Sequence, residues 1–528
     1  VPVGTYTTLT LQLDYNAPDI TVNVNGVPTI ASPVDTTGAA MTVSTLTVSF
    51  DPGKQLVING GVSTRLALDI NLAASNTINF SASPLTVTVK PFMTATVTPA
   101  DQTVMRARGI FVIAQPSSSD YVVNMRPFSD LVSALGALTV NTTSTTYFNI
   151  NGVAYTGAAG LTAMQSLQIS TPVAAYGTLG SLATITPSFN ATAVYAGTSL
   201  EDPLADYFTG TVRAVSGATL TLHGATLRSR LGTPGYFPDV AVTVGSGTIV
   251  SEDGVAASGL STQSISVGQL INVSGQSGTD SNNNLTLDAT GQVAGAPPGQ
   301  VRLQPTPVWG TLNSAVAGSM SLNVLSIGNF QPSALTFTGT GTTAANDAVP
   351  ASYAVNTPGI DESATSAGTL LETFGLVTPF GSAPPDFTAS SVTPGSSTPQ
   401  TLVVEWENGG AASPFSSASS AGLVVNLSNA NLSGTIRYIA TGPTKTDLTT
   451  LPASPTIVFA AGSTLTLAVG PVAVNSVPTI EVFNSASTFA TQLASALNGT
   501  NLVYRLVCVG QYSSATNTFT ATQVVVNL

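Results

Sequence analysis

Apolar and hydroxyl-bearing residues alternate along most of the chain. TYTTLTLQLDY (5–15), LTLDATGQV (285–293) and ATQVVVNL (521–528) are typical. A period of two places every second side chain on one face of a strand, so the chain is predicted to be all-β with half-buried strands. Gly, Pro, Asn and Ser clusters break the pattern, as turns between short strands do. One stretch changes period. In NSASTFATQLASALNG (484–499), Phe489, Leu493 and Leu497 fall at i, i+4 and i+8, behind a Ser or Asn cap and before a Gly stop. This predicts a short helix with one apolar stripe.

The strand pattern repeats. GTVRAVSGATLTLHG begins at Gly210, and similar openings stand at Gly109, Gly310 and Gly434. A second glycine closes each repeat, at Gly177, Gly275, Gly375 and Gly510. Phe189-x-Ala191, Leu287-x-Ala289, Phe387-x-Ala389 and Phe519-x-Ala521 follow them. The openings are spaced 101, 100 and 124 residues apart (109 to 210, 210 to 310, 310 to 434). A fixed step marks tandem modules. Five or so strands in each favour a small closed barrel of the OB type, since closure hides the strand edges. The predicted organisation is an N-terminal β-sandwich-like domain at 1–100, then four OB-like barrel modules. These occupy 101–205, 206–305, 306–394 and 395–528, the last with the helical insertion 484–499.

The composition changes the picture in one respect. Only 7% of the 528 residues are charged, and the net charge is −12. That repels phosphate backbones and anionic membranes, so nucleic acid is excluded as a partner. No apolar run reaches the ~18–20 residues of a transmembrane span. The single cysteine, Cys508, precludes an intrachain disulfide and reads as a buried thiol in RLVCVG.

With GTVRAVSGATLTLHG, VAVTVGSGTIV, ISVGQLINVSG and LTLDATGQV, the chain resembles small β-barrel domains of unknown function repeated in bacterial exported proteins. VPVGTYTTLTLQLDY and LALDINLAASNTI resemble an N-terminal domain of cell-envelope lipoproteins. The resemblance implies export and association with the envelope. The family's preceding strands and lipid-bearing cysteine have no counterpart in these residues, which leads to the expectation that the given chain starts inside its first domain.

Candidate chemistry is sparse. His223 is the only histidine, and a strand-borne structural histidine is the expected reading. Glu405 and Glu407 flank Trp406, and alternation puts both carboxylates on one strand face with the indole opposite, a pairing that glycoside hydrolysis would need. An exposed strand face with Trp406 buried is the favoured alternative. Asp280, Asn282 and Asn284 occupy positions 1, 3 and 5 of a calcium loop, but Leu285 and Gly291 replace the glycine and glutamate such a loop requires. Glu201-Asp202 and Asp361-Glu362 read as turn residues. Trp309, Trp406 and Tyr236 are the aromatics that a glycan could stack on. No cofactor is expected and no enzyme motif is present.

Together these features predict a non-enzymatic bacterial protein, extracellular or at the cell surface. It would self-associate as a subunit of a filament, layer or envelope scaffold, by packing of β modules and by strand exchange. The alternative is an envelope glycan- or ligand-binding protein.

Overall fold

A computed structural model describes the chain apart from residues 1, 17–19, 25–26, 52, 54, 59–64, 99–103, 127–134, 181–186, 201–204, 229–233, 253–258, 292–298, 408, 463–464, 475–476 and 499–500. The fold is all-β. It divides into two compact units, one of residues 100–393 and one formed by residues 1–99 together with 394–528.

The third module shows the barrel most simply. Thr306–Val316, Ser319–Ile327, Tyr353–Asn356, Leu370–Val377 and Phe387–Pro394 close into a ring. Numbered in chain order, the strands run 1-2-3-5-4 and back to 1, with strands 3 and 5 parallel. This is the order of an OB barrel. Met105–Gln115, Asp120–Met125, Ala137–Asn141, Pro172–Leu179 and Ser188–Ala196 pair in the same order. So do Asp206–Ser216, Thr219–Arg228, Pro234–Thr243, Leu270–Thr279 and Leu285–Asp288. The last module keeps the order with its first strand interrupted. Gln400–Trp406 pairs with strand 4 (Arg505–Ser513), and Phe415–Ser419 pairs with strand 2 (Gly422–Val425). Thr456–Phe459 and Thr518–Asn527 complete the ring.

The recurring residues have recurring places. Across the parallel strands 3 and 5, Val140 faces Phe189, Val242 faces Leu287, Val355 faces Phe387 and Ile457 faces Phe519. All eight are buried and anchor their barrels. Each closing glycine lies where strand 4 presses on strand 5. A Cβ on Gly177, Gly275, Gly375 or Gly510 would sit 1.9, 2.1, 2.0 or 2.0 Å from the backbone oxygen of residue 190, 288, 388 or 520. In each case that residue precedes the recurring alanine, so the glycine and alanine are two halves of one close backbone approach.

The fourth opening glycine requires correction. Met105, Asp206, Thr306 and Gln400 pair with the four closing glycines. Four residues further along, Gly109, Gly210 and Gly310 have Val404 as their counterpart, not Gly434. Gly434 lies in Leu432–Thr441, part of a hairpin inserted beside strand 1, and a Cβ there would meet nothing within 4 Å. The module therefore begins 94 residues after the third (306 to 400), and its extra length is insertion.

Residues 1–99 do not stand as a unit of their own. Val43–Ser49 pairs in parallel with Val477–Phe483 of the last module, with Thr479 opposite Thr47 and Ile480 opposite Val48. Val403, Val507 and Val525, on the outer face of the last barrel, pack with Leu46, Val48, Phe92 and Met93. The barrel exterior is thus a second core. The expected helix is Ala486–Leu497, with Ser485 at its cap position but making no side-chain capping bond. Phe489 and Leu493 are buried in the barrel core and Leu497 packs against it. The predicted stop, Gly499, lies outside the described residues.

Candidate functional site

His223 sits on strand 2 of the second module, opposite Asp239 on strand 3. Its Nδ1 donates to Asp239 Oδ1 at 2.8 Å, and Arg213 Nη1 donates to Asp239 Oδ2 at 2.6 Å. Phe330 of the third module packs edge-on against the imidazole, with centroids 4.4 Å apart. The nearest hydroxyl in register, Thr211, spends its proton on Gly328 O at 3.0 Å. An imidazole 4% exposed, with its carboxylate shared by an arginine, fastens two barrels together.

The two glutamates do not form a pair. Glu405 is buried and ion-paired with Arg505, directly opposite on strand 4, while Glu407 lies beyond the strand end and is exposed. Arg505 also donates to the carbonyls of Ala73 and Asn76 and to Thr77 Oγ1. One place further along the row, Asn527 donates Nδ2 to Ala74 O at 2.9 Å. Glu405, Arg505 and Asn527 make a polar seam on which residues 71–77 sit. Burial holds the Arg505 guanidinium at about 10, below its usual range. The strand alternation was legible, but both faces are covered: Trp406 points into the barrel against Phe415 and is 1% exposed. The expectation of an exposed carboxylate face is therefore corrected, and Trp406 offers no ring to a sugar.

The other aromatic candidates divide. Trp309 is 9% exposed and its indole bonds Glu372 across the strands, whereas Tyr236 keeps an exposed ring. Asp280 Oδ1 accepts the backbone N–H groups of Asn282 and Asn284, both at 2.8 Å, and Asn284 Nδ2 donates to Oδ2 at 3.0 Å. These bonds hold its carboxyl below the usual range and make a hairpin tip. Asp361 likewise accepts from Ser363 in a turn. Glu201 and Asp202 lie outside the described residues. Cys508 is fully buried on the inner face of strand 4, and burial pushes its thiol well up, away from reactivity. Family models, curated proteins and solved structures yield no match.

Two features escaped the sequence. Gln269, fully buried, joins the second and third modules. Its Nε2 donates to Gln304 O at 2.6 Å and Thr306 Oγ1 at 2.9 Å, and its Oε1 accepts from Val377 N at 2.9 Å. A cleft of about 240 Å³ also opens where the first module meets the second, lined by Arg106, Tyr176, Ala193, Tyr195, Ser199, Leu200 and Arg302.

Proposed function

We propose that this is a non-enzymatic bacterial structural protein, exported to the envelope or beyond, in which barrel modules act as building blocks of an assembly of like subunits. The observation that carries the reading is the fate of the reactive groups. His223, Glu405 and Cys508 are each enclosed and occupied in holding modules together or filling a core. The barrels of residues 100–393 are stapled by buried bonds such as those of Gln269, which suits a part that must keep its shape. Self-association draws support from residues 1–99. They carry nine of the 20 exposed large apolar side chains among the described residues, including Leu68, Ile70, Leu72, Ile78 and Phe80. The resemblance to envelope-associated families points to the same place.

Electron microscopy of native material, with sedimentation velocity of the purified chain, tests this. Oligomers or polymers that dissociate on Leu72→Ser with Phe80→Ser are expected. A chain that stays monomeric at every concentration and forms no ordered particle overturns the proposal.

A further inference from the structure

The cleft between the first two modules is built from outward-facing rows of both barrels. In the first, Arg106 lies opposite Tyr176, which lies opposite Ala193, and Tyr195 stands one row away. The Arg106 guanidinium is 5.7 Å from the Tyr176 ring centroid, and the Tyr176 and Tyr195 rings meet edge to face at 5.7 Å. In the second, Arg302 stands opposite Asn272, and its Nη2 donates to Ser199 O at 2.5 Å. A smaller hollow shares Leu200 and Arg302 and adds Tyr207, Asn272, Ser274 and Gln300. Among the described residues, no carboxylate lines either space.

We infer that this cleft binds a carboxylated saccharide, such as a uronic acid residue within a glycan. Two guanidiniums from separate barrels can present paired N–H groups to a carboxylate, the anion that their planar fork matches. Half-buried tyrosine rings offer flat apolar surface to a pyranose, and Ser, Asn and Gln groups suit its hydroxyls. The volume is below the roughly 300–1,000 Å³ of drug-sized ligand pockets, so it accommodates a single sugar unit with its neighbours in solvent. In a chain of net charge −12, a cationic cleft also sets where an anion can dock. The inference does not depend on whether the chain polymerises.

Calorimetric titration of the full chain with trigalacturonate, maltotriose and inorganic phosphate tests it. Trigalacturonate should bind, more weakly as salt rises, and each of Arg106→Gln and Arg302→Gln should weaken it roughly 10- to 100-fold, the loss of one charged hydrogen-bonding partner. Arg437→Gln, which removes the same charge far from the cleft in sequence and within the other unit, should leave binding unchanged. In the unaltered protein, ligand should slow amide exchange in 172–179 and 188–200, a readout that needs no variant to fold. No binding of trigalacturonate, equal binding of maltotriose, phosphate binding as tightly as the uronate, or protection elsewhere in the chain would each overturn the assignment.

Discussion

Replacing Gly375 with alanine isolates the steric device that repeats through the chain. The new Cβ would lie 2.0 Å from Thr388 O and 2.9 Å from the Ala389 Cα, both backbone atoms of the neighbouring strand. Neither can yield as a flexible side chain would. Strand 5 is held on its other side by parallel pairing to Tyr353–Asn356 and from within by Phe387, which is fully buried. Overpacking a core costs about 1–3 kcal/mol when side chains can adjust, so roughly 3 kcal/mol or more is expected here. For a module of this size that lowers the melting transition by more than about 10 °C. Gly434→Ala is the matched control, because its Cβ meets nothing within 4 Å; it should change stability by less than about 0.5 kcal/mol. Differential scanning calorimetry of the full chain reads the shift, and amide exchange identifies which strands have moved. Equal effects from the two substitutions would show that the recurring glycine is no steric requirement, and the account of the repeat would fail with it.

Gln269→Leu should destabilise the junction of the second and third modules by about 1–3 kcal/mol by stranding Val377 N–H in a buried site, since the Thr306 hydroxyl keeps its bonds to Leu270 N and Gln304 O; a lowered melting transition in calorimetry would register it. Glu405→Gln should cost about 3–5 kcal/mol, as removing one member of a buried ion pair does, seen as a lower urea midpoint for the unit formed by residues 1–99 and 394–528. Were Glu405 a catalytic acid on an open face instead, that substitution would leave stability untouched. Asp386 supplies a pH test. Burial raises its carboxyl above the ordinary value of 3.8, so folding favours the protonated form, and its contribution to stability is lost as pH rises through the folded value. Asp386→Asn keeps an acceptor for Ala354 N–H and should therefore equal or exceed the parent in stability at neutral pH, with the advantage vanishing near pH 3 in urea titrations.

Much of the barrel was legible because it is written in local terms. Alternation located the strands, and the closing glycine with its Phe-x-Ala partner encodes a contact between strands adjacent in sequence. Gly434 misled because Ser-Gly-Thr before an alternating run looks the same in an inserted hairpin as in an opening strand, while Val404 fills the true position without a glycine. The joining of residues 1–99 to the last module was illegible for a different reason. Thr47 and Thr479 are neighbours only in space, and a strand carries no mark of its distant partner. The same ignorance hid the seam at Glu405. Period two correctly put the carboxylate and Trp406 on opposite faces, but it could not reveal that residues 71–77 cover the carboxylate side. The cleft depended on two barrels facing each other and lay beyond any pattern within one strand.

The sheet shared by the first and last segments also sets an order of events at birth. Val43–Ser49 leaves the ribosome with its partner Val477–Phe483 still unmade. Roughly 400 residues must follow, on the order of 20–80 s at 5–20 residues per second. Through that interval Leu46, Val48, Phe92 and Met93 lack the surface that finally shields them. Only the unit formed by residues 1–99 and 394–528 waits in this way; the three barrels of residues 100–393 draw every strand from their own stretch and can close as they emerge, so the first segment is the part of the chain left longest without its cover.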